Sequence, residues 1–522
     1  MNFKRKLWWA QHRTDVYKYS TFILLFLIVT ISIIYFTYSK FSSSNEMTMY
    51  ETTVEPFIKN DYFIASYIDG EWSNEIPGKN DGYAVDKIVC DNGAVGTWDN
   101  DKWAITIENA TKKIKCGVYF KQIYKDNVIA EAPKLAQGMI PVKFDDAGNA
   151  VVADTSTKWY DYSNHEWANA VLVNCTDSAI KSKYFDNDNK VLASAVGKTI
   201  SMDEIMQMYV YIPRYRYKLF NAENGTSNPQ AINIAFESKT TAKSNGTKNG
   251  EWLTHPAFTF GDKELAGIWV GKFETSNTSA LPKIVPNVIS LRDMTVSAQF
   301  NTSRLMTTTL ASTYGTSTND DSHMMKNMEW GAVAYLTSSI YGRYNDTSTC
   351  IVSGCEIWIN NNSSFTTGCA GSSVNEGQAS TCNAWNTATG VNASTTGNIY
   401  GIYDMSGGAW EYVMGNYNDT KGSAGFSSMP EAKYYDKYTG TDSNSDFTKY
   451  HLGDATKETL KAKSEGQNAW HGAYSYSVDS SNPWVDRGGF YYDGTSAGVF
   501  HFHNYTGNSH NNGSFRVVLG AL

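Results

Sequence analysis

An uncharged, almost wholly apolar run near the N-terminus constrains this chain more than any other feature. Tyr19 to Ser39 contains no charge, and Thr21 to Tyr38 is nearly all apolar. At about 1.5 Å per residue, a helix over this run covers roughly 30 Å, the thickness of a bilayer's hydrocarbon core. Lys4, Arg5, Lys6, Arg13 and Lys18 precede it. That asymmetry predicts a cytoplasmic tail over 1–18, a single membrane span over 19–39 and the remainder of the chain outside. A cleaved signal peptide is the alternative, but the run is long for one and no small-x-small cleavage site follows it cleanly. A buried core helix is opposed by the flanking charges and by Trp8, Trp9, Tyr35 and Tyr38.

An external location makes the cysteines informative. All seven lie after the apolar run. Cys90 and Cys116 flank a strand-like region; Cys350, Cys355, Cys369 and Cys382 crowd into one polar stretch; Cys175 is left over. In an oxidising compartment the first pair, and two pairs within the cluster, are expected as disulfides. The alternative for the cluster is zinc, although its spacings lack the tight C-x2-C knuckles of common zinc sites.

At 522 residues the chain is too long for one ordinary core. The net charge of −8 is thinly spread, which opposes a nucleic-acid partner, because phosphate binding needs a basic face. Aromatics at 14% and only 11 prolines suit folded, β-rich modules better than a disordered stalk. A polar stem is expected over 40–62 and a small β-sandwich-like module over 63–130. There, short runs such as Lys87-Ile88-Val89-Cys90 and Lys115-Cys116-Gly117-Val118-Tyr119-Phe120 alternate with Asn/Asp/Gly turns. A second small module is expected over 131–200, and the N-cap-like Ser201-Met202-Asp203-Glu204 predicts a short helix after it. From 205 to 522 the texture is that of one long mixed domain. The run from Tyr209 to Tyr217 alternates like a strand, with Pro213 fitting an edge or a bulge. Ser322 to Leu336 has helical spacing. The Ser/Thr/Asn/Gly-rich stretch 345–397 is read as a surface insertion.

Five motifs inside 205–522 occur in an order that resembles the formylglycine-generating-enzyme-like (sulfatase-modifying factor) branch of the C-type lectin fold. Trp269-Val270-Gly271-Lys272-Phe273-Glu274 is similar to an early strand of that family, and Met328-Glu329-Trp330-Gly331-Ala332-Val333-Ala334-Tyr335-Leu336 to its central helix. Tyr400-Gly401-Ile402-Tyr403-Asp404-Met405-Ser406-Gly407-Gly408-Ala409-Trp410-Glu411-Tyr412 is very close to its most recognisable motif, in which position 408 is usually Asn. Arg487-Gly488-Gly489 and Ser514-Phe515-Arg516-Val517-Val518 match the closing pair. The resemblance implies an α+β C-type-lectin-like domain, and that fold carries both enzymes and binders. The oxidase relatives use a C-terminal cysteine pair, whereas this sequence has no cysteine after Cys382, so no catalysis is expected. No cofactor is expected either; a structural calcium ion on backbone oxygens between Asn398 and Trp410 would be in keeping with the enzyme relatives.

The segment 490–513 contains no Lys, Glu, Gln, Met or Trp. Those five have no codon ending in a pyrimidine, whereas the Asn, Asp, His, Tyr, Ser, Phe, Thr and Gly present all arise from an Asn codon whose adenines are replaced. In this respect the segment resembles the variable proteins of diversity-generating retroelements, in which adenine-directed mutation rewrites a ligand face on a rigid lectin-like scaffold. Tyr, His, Asn, Ser and Asp give flat amphipathic area and adaptable hydrogen bonding at low entropy cost. The expected ligand contacts are Phe490, Tyr492, Asp493, Ser496, His501, His503, Tyr505, Ser509 and His510. Gly488, Gly489, Gly494, Gly498, Phe515 and Arg516 are expected as scaffold, and Tyr491, Val499, Phe500 and Phe502 equally as core or contact. The competing reading of the window is a Tyr/Asn-rich lectin loop with a fixed ligand. His501 and His503 share a strand face and suggest a transition-metal site, but enrichment from Asn codons accounts for them without one. The expected whole is a membrane-anchored, cell-surface receptor or adhesin whose partner is a protein or a glycan.

Overall fold

The computed structural model describes residues 62–520 apart from 69–70, 74–75, 77–82, 100–101, 109–113, 123–129, 131, 224, 347–348, 352–354 and 441–449. The expected tail, membrane span and stem lie outside the described residues. Among the described residues no helix is long and apolar enough to cross a membrane. The chain divides into two compact units, Met1–Ile123 and Tyr124–Leu522.

In the first unit, alternation builds the core. Ile114, Cys116, Val118 and Phe120 are the buried side of one strand, Ile114–Gln122, and pack on Ile105 and Ile107 of a hairpin formed by Val95–Asp99 and Ala104–Glu108. The Ile114–Gln122 strand lies between Tyr62–Ile68, which it pairs in parallel, and Tyr83–Cys90, which it pairs antiparallel; Glu71–Ser73 extends the sheet. Cys90 and Cys116 stand directly opposite each other in register and are disulfide-bonded, as their flanking position led one to expect. On the outer face the indole of Trp72 crosses Gly117 so closely that a Cβ there would lie 2.6 Å from it.

The second unit is α+β. Its larger sheet has eight antiparallel strands in the order Thr199–Ile200, Ala150–Val152, Ile140–Phe144, Asn169–Val173, Ile205–Pro213, Gly267–Gly271, Val517–Gly520, Asp321–Met324. The stretch expected as a second module over 131–200 is therefore part of this sheet. Asn169–Val173 is buried at every residue and needs cover on both faces, which a module of that size does not supply. No helix starts at Ser201: residues 202–204 turn into the nine-residue strand Ile205–Pro213, which is buried throughout. Pro213 ends that strand, and the chain passes through buried Arg214 into Tyr215–Lys218 of a different, three-stranded sheet. One alternating run thus serves two sheets.

The predicted helix over Ser322–Leu336 begins later. Ser322, His323 and Met324 are drawn into the strand that pairs with Val517–Gly520, and the helix runs Asn327–Thr337. It is buried on all sides, as a helix with small and apolar residues all round must be. The stretch 345–397 is a surface insertion only in part: most of 372–392 is at least partly exposed, whereas most of 355–371 and all of 393–396 are buried. Ile357, Ile359, Asn360, Asn361, Asn362, Trp385 and Ser394 are buried, and Asn360 N donates to Ser406 O at 2.8 Å. Two of its buried side chains bond to backbone: Asn361 Nδ2 reaches Gly377 O at 2.6 Å and Asn362 Nδ2 reaches Thr381 O at 3.2 Å. The clustered cysteines pair as Cys350–Cys355 and Cys369–Cys382, and Cys175 is free.

A second sheet carries the C-terminal residues. Trp410–Tyr417 pairs antiparallel with Trp484–Gly488, which pairs with Gly498–Tyr505; Asp436–Tyr438 and Gly513–Phe515 both lie parallel to Trp410–Tyr417. Arg516, buried where the chain crosses to the larger sheet, donates to Gly271 O at 2.8 Å, to Tyr403 O at 2.9 Å and to Glu411 Oε2 at 3.0 Å. One guanidinium thus ties both sheets and the 400–412 motif together.

Candidate aromatic binding face

Strand register assembles the face. Tyr412 stands opposite Asp486, and Asp486 opposite His503, so the three form one row across the smaller sheet. Trp410, His501 and Tyr505, two residues along their strands, project the same way. The rings form a continuous strip. Tyr476 lies 4.7 Å from His503, His503 6.4 Å from Tyr505, and Tyr505 5.5 Å from His510. Trp410 lies 4.8 Å from His510 and 5.1 Å from Phe490, and Phe490 lies 6.2 Å from Tyr492.

Backbone chemistry holds the loop that starts the strip. Gly489 has φ 72°, and a Cβ there would lie 2.8 Å from Ala497 Cα, so only glycine lets the loop fold back this tightly. Asp493 Oδ2 accepts from Phe490 N at 3.0 Å and Trp410 Nε1 at 3.4 Å, and Tyr491 N donates to Gly408 O at 2.9 Å. Gly408, where the resembled family usually has Asn, also has a positive φ, and a side chain there would strike Glu274 Oε1. That oxygen accepts from Ala409 N at 2.8 Å.

Of the expected contacts, Tyr492 and Ser509 are exposed, and Phe490, Asp493, His503, Tyr505 and His510 are half-buried along the strip. Asp493 turns its carboxylate into the loop. Burial raises its pKa against the pull of His501. Two expectations are corrected: Ser496 and His501 are only 3% and 1% exposed. The Ser496 hydroxyl is bonded by Gln467 Nε2, and His501 Nδ1 meets Ser496 O at 2.8 Å. His501 is pulled inward by the chain's own partners, and its Nε2 faces Asp486 Oδ1 at 3.6 Å. Val499, Phe500 and Phe502 are core; Tyr491 is half-buried against Phe365 at 4.8 Å.

Asp486 sets the electrostatics of the row. Burial opposes its ionisation, but His501 and His503 on either side outweigh burial and hold its carboxyl near about 2. Its Oδ2 lies 3.8 Å from His503 Nδ1. In return Asp486 raises the pKa of His503, although burial alone would lower it. Among the described residues no group of three or more His, Cys, Asp or Glu is placed to hold a metal ion. Near the expected calcium position, Ile399 O and Gly401 O already accept from the buried Lys272 ammonium at 2.6 and 2.8 Å, so these two oxygens do not fit a calcium ion as well.

Sequence reasoning missed the neighbours that complete the strip. Trp410 and Tyr412 sit in the 400–412 motif that carries the family resemblance, and Asp486 directly precedes the Arg487-Gly488-Gly489 signature. For Tyr474 and Tyr476 the missed signal is the period-two alternation Tyr474-Ser475-Tyr476-Ser477, in which the tyrosines are half-buried and the serines buried. That segment lies along the Gly498–Tyr505 strand, Tyr476 N donating to Phe502 O at 3.0 Å.

No protein-family model matches the chain, and no curated protein sequence matches it. Among solved structures, Treponema denticola variable protein 1 is similar over 62% of this chain and 98% of its own, with 10% identity and a TM-score of 0.23. A likeness of that size carries no weight for fold or function, and the reading of the face rests on this chain's own residues.

Proposed function

We propose that the chain is a surface-display receptor or adhesin, anchored by its N-terminal apolar run, that binds a protein or glycan partner through the aromatic face without catalysis. The single observation that carries this reading is a coincidence of two independent patterns. The 490–513 window, whose composition fits adenine-directed rewriting of Asn codons, supplies most of one contiguous ring strip on a rigid sheet. Seven of its nine expected contact residues are at least partly open to solvent, while Gly489, Phe515 and Arg516 are held by packing. A face of this kind tolerates replacement at its exposed positions, because surface substitutions shift stability by only about 0.5 kcal/mol. The lectin-like scaffold and the retroelement origin belong to the same proposal. The absence of any cysteine after Cys382 supports the non-catalytic reading.

Randomising the codons for 490, 492, 503, 505, 509 and 510 in the full-length chain, and selecting against hen lysozyme as an arbitrary target, tests the face directly. The expected result is folded binders from this library and none from one randomised at Val499, Phe500 and Phe502. Failure of both libraries to yield folded binders contradicts the proposal.

A further inference from the structure

The depletion that marks 490–513 does not begin at Phe490. From His471 to Leu522 the types Lys, Glu, Gln, Met and Trp occur once, as Trp484. The ten residues before His471 hold five of them: Lys461, Lys463, Glu465, Gln467 and Trp470. Trp484 itself is scaffold: it is fully buried in the strand Trp484–Gly488 and its Nε1 donates to Lys421 O at 2.9 Å. Upstream of it, Tyr474-Ser475-Tyr476-Ser477 consists of types that an Asn codon yields when its adenines are replaced.

The fold separates these four residues by role. Tyr476 N donates to Phe502 O and Phe502 N to Tyr474 O, both at 3.0 Å, so the segment lies parallel beside the Gly498–Tyr505 strand. Period-two alternation then turns Tyr474 and Tyr476 to one side and the serines to the other. Both serines are fully buried. Their backbone is held from outside the segment, Ser475 N donating to Gly466 O at 2.8 Å and Ser477 N to Glu465 Oε1 at 3.1 Å. The tyrosines are half-buried against imidazoles of the window. Tyr474 lies 5.8 Å from His501 and 6.5 Å from His503, and Tyr476 lies 4.7 Å from His503. Neither phenol hydroxyl bonds to another group of the chain among the described residues. Each ring thus presents flat area and a free hydroxyl at low entropy cost, the chemistry expected of the window's own contacts.

We propose that Tyr474 and Tyr476 are specificity-determining contacts of the same ligand face and are rewritten together with the 490–513 window. This rests on the reading of the aromatic face as a diversified ligand surface. Ser475, Ser477 and Trp484 stay constant, because their burial and backbone bonds hold the segment and the sheet in place.

Amplicon sequencing of codons 466 to 522 across a population of source cells tests this. The expected result is substitution at 474 and 476, confined to template adenines and accompanying that in 490–513, with Ser475 and Ser477 constant. Constant 474 and 476 beside a varying window overturns the inference and leaves the ligand face standing. Variation at Ser475 and Ser477 equal to that at the tyrosines overturns it as well. A uniform sequence throughout overturns the ligand-face reading and the inference with it. Contact is read separately, in lysozyme binders selected from the full-length chain randomised at 474 and 476 together with the six codons above. Restoring both tyrosines in a recovered binder is expected to weaken it about tenfold or more. Unchanged affinity across the recovered binders overturns the assignment of the two positions as contacts.

Discussion

His501 and His503 stand two residues apart on one strand, yet one is 1% exposed and the other half-buried on the aromatic strip. The period-two pattern made their shared face legible; their depth was not, because it depends on Asp486 and the Ser496 carbonyl, which no local pattern reports. The same holds for Ser496, whose hydroxyl is taken by Gln467 from a distant segment. A contrast of stability follows. Tyr492→Ala should leave the urea midpoint within about 0.5 kcal/mol of wild type, since its ring is exposed. His501→Ala should cost about 2–4 kcal/mol, because it strands the buried Asp486 carboxylate and opens a cavity. Equal effects at the two positions would mean that the strip is placed wrongly.

Among the elements, the helix Asn327–Thr337 shows how a motif becomes a joint. Glu329 accepts from Lys326 N at 2.8 Å to close the helix start, and its other oxygen meets His323 Nε2 at 2.9 Å on the neighbouring strand. Asp321 meets the other ring nitrogen at 2.8 Å. Burial alone would lower the pKa of His323, but these two carboxylates outweigh it and hold the imidazole up at about 9. A raised group contributes its stability in full below the unfolded value of 6.5 and loses it as pH rises toward 9. Unfolding free energy should therefore fall by about 3 kcal/mol over that window, and His323→Asn should flatten the dependence. Sequence spacing gave the helix its existence but set its start too early, since nothing local shows that Ser322 to Met324 pair with the last strand of the chain. The polar stretch 345–397 misled for a related reason. Asn, Ser and Thr were read as solvent-facing, whereas Asn361 and Asn362 are buried and donate to the backbone oxygens of an exposed neighbouring segment.

For the whole molecule, each of the two units has its own hydrophobic core among the described residues. The five motifs all fall within the second unit, and the Cys90–Cys116 pair was legible from its flanking position. The reach of the larger sheet back to residue 140 was not, because strand order is a long-range property. The disulfide spans 26 residues of sequence, and closing a loop of that size is worth about 3 kcal/mol. Replacing both cysteines by alanine should speed amide exchange in Ile114–Gln122 and leave Ile205–Pro213 unchanged. Exchange rising in both would show that the two units unfold together.

The central claim is that evolution rewrites the aromatic face while its scaffold stays fixed. Sequencing the codons from Arg487 to the 3′ end of the gene across a population of source cells measures this directly. The account predicts substitutions at Phe490, Tyr492, Asp493, His503, Tyr505, Ser509 and His510, confined to template adenines, with Gly489, Phe515 and Arg516 constant. A uniform sequence across the population, or changes spread evenly into the buried positions, would contradict it.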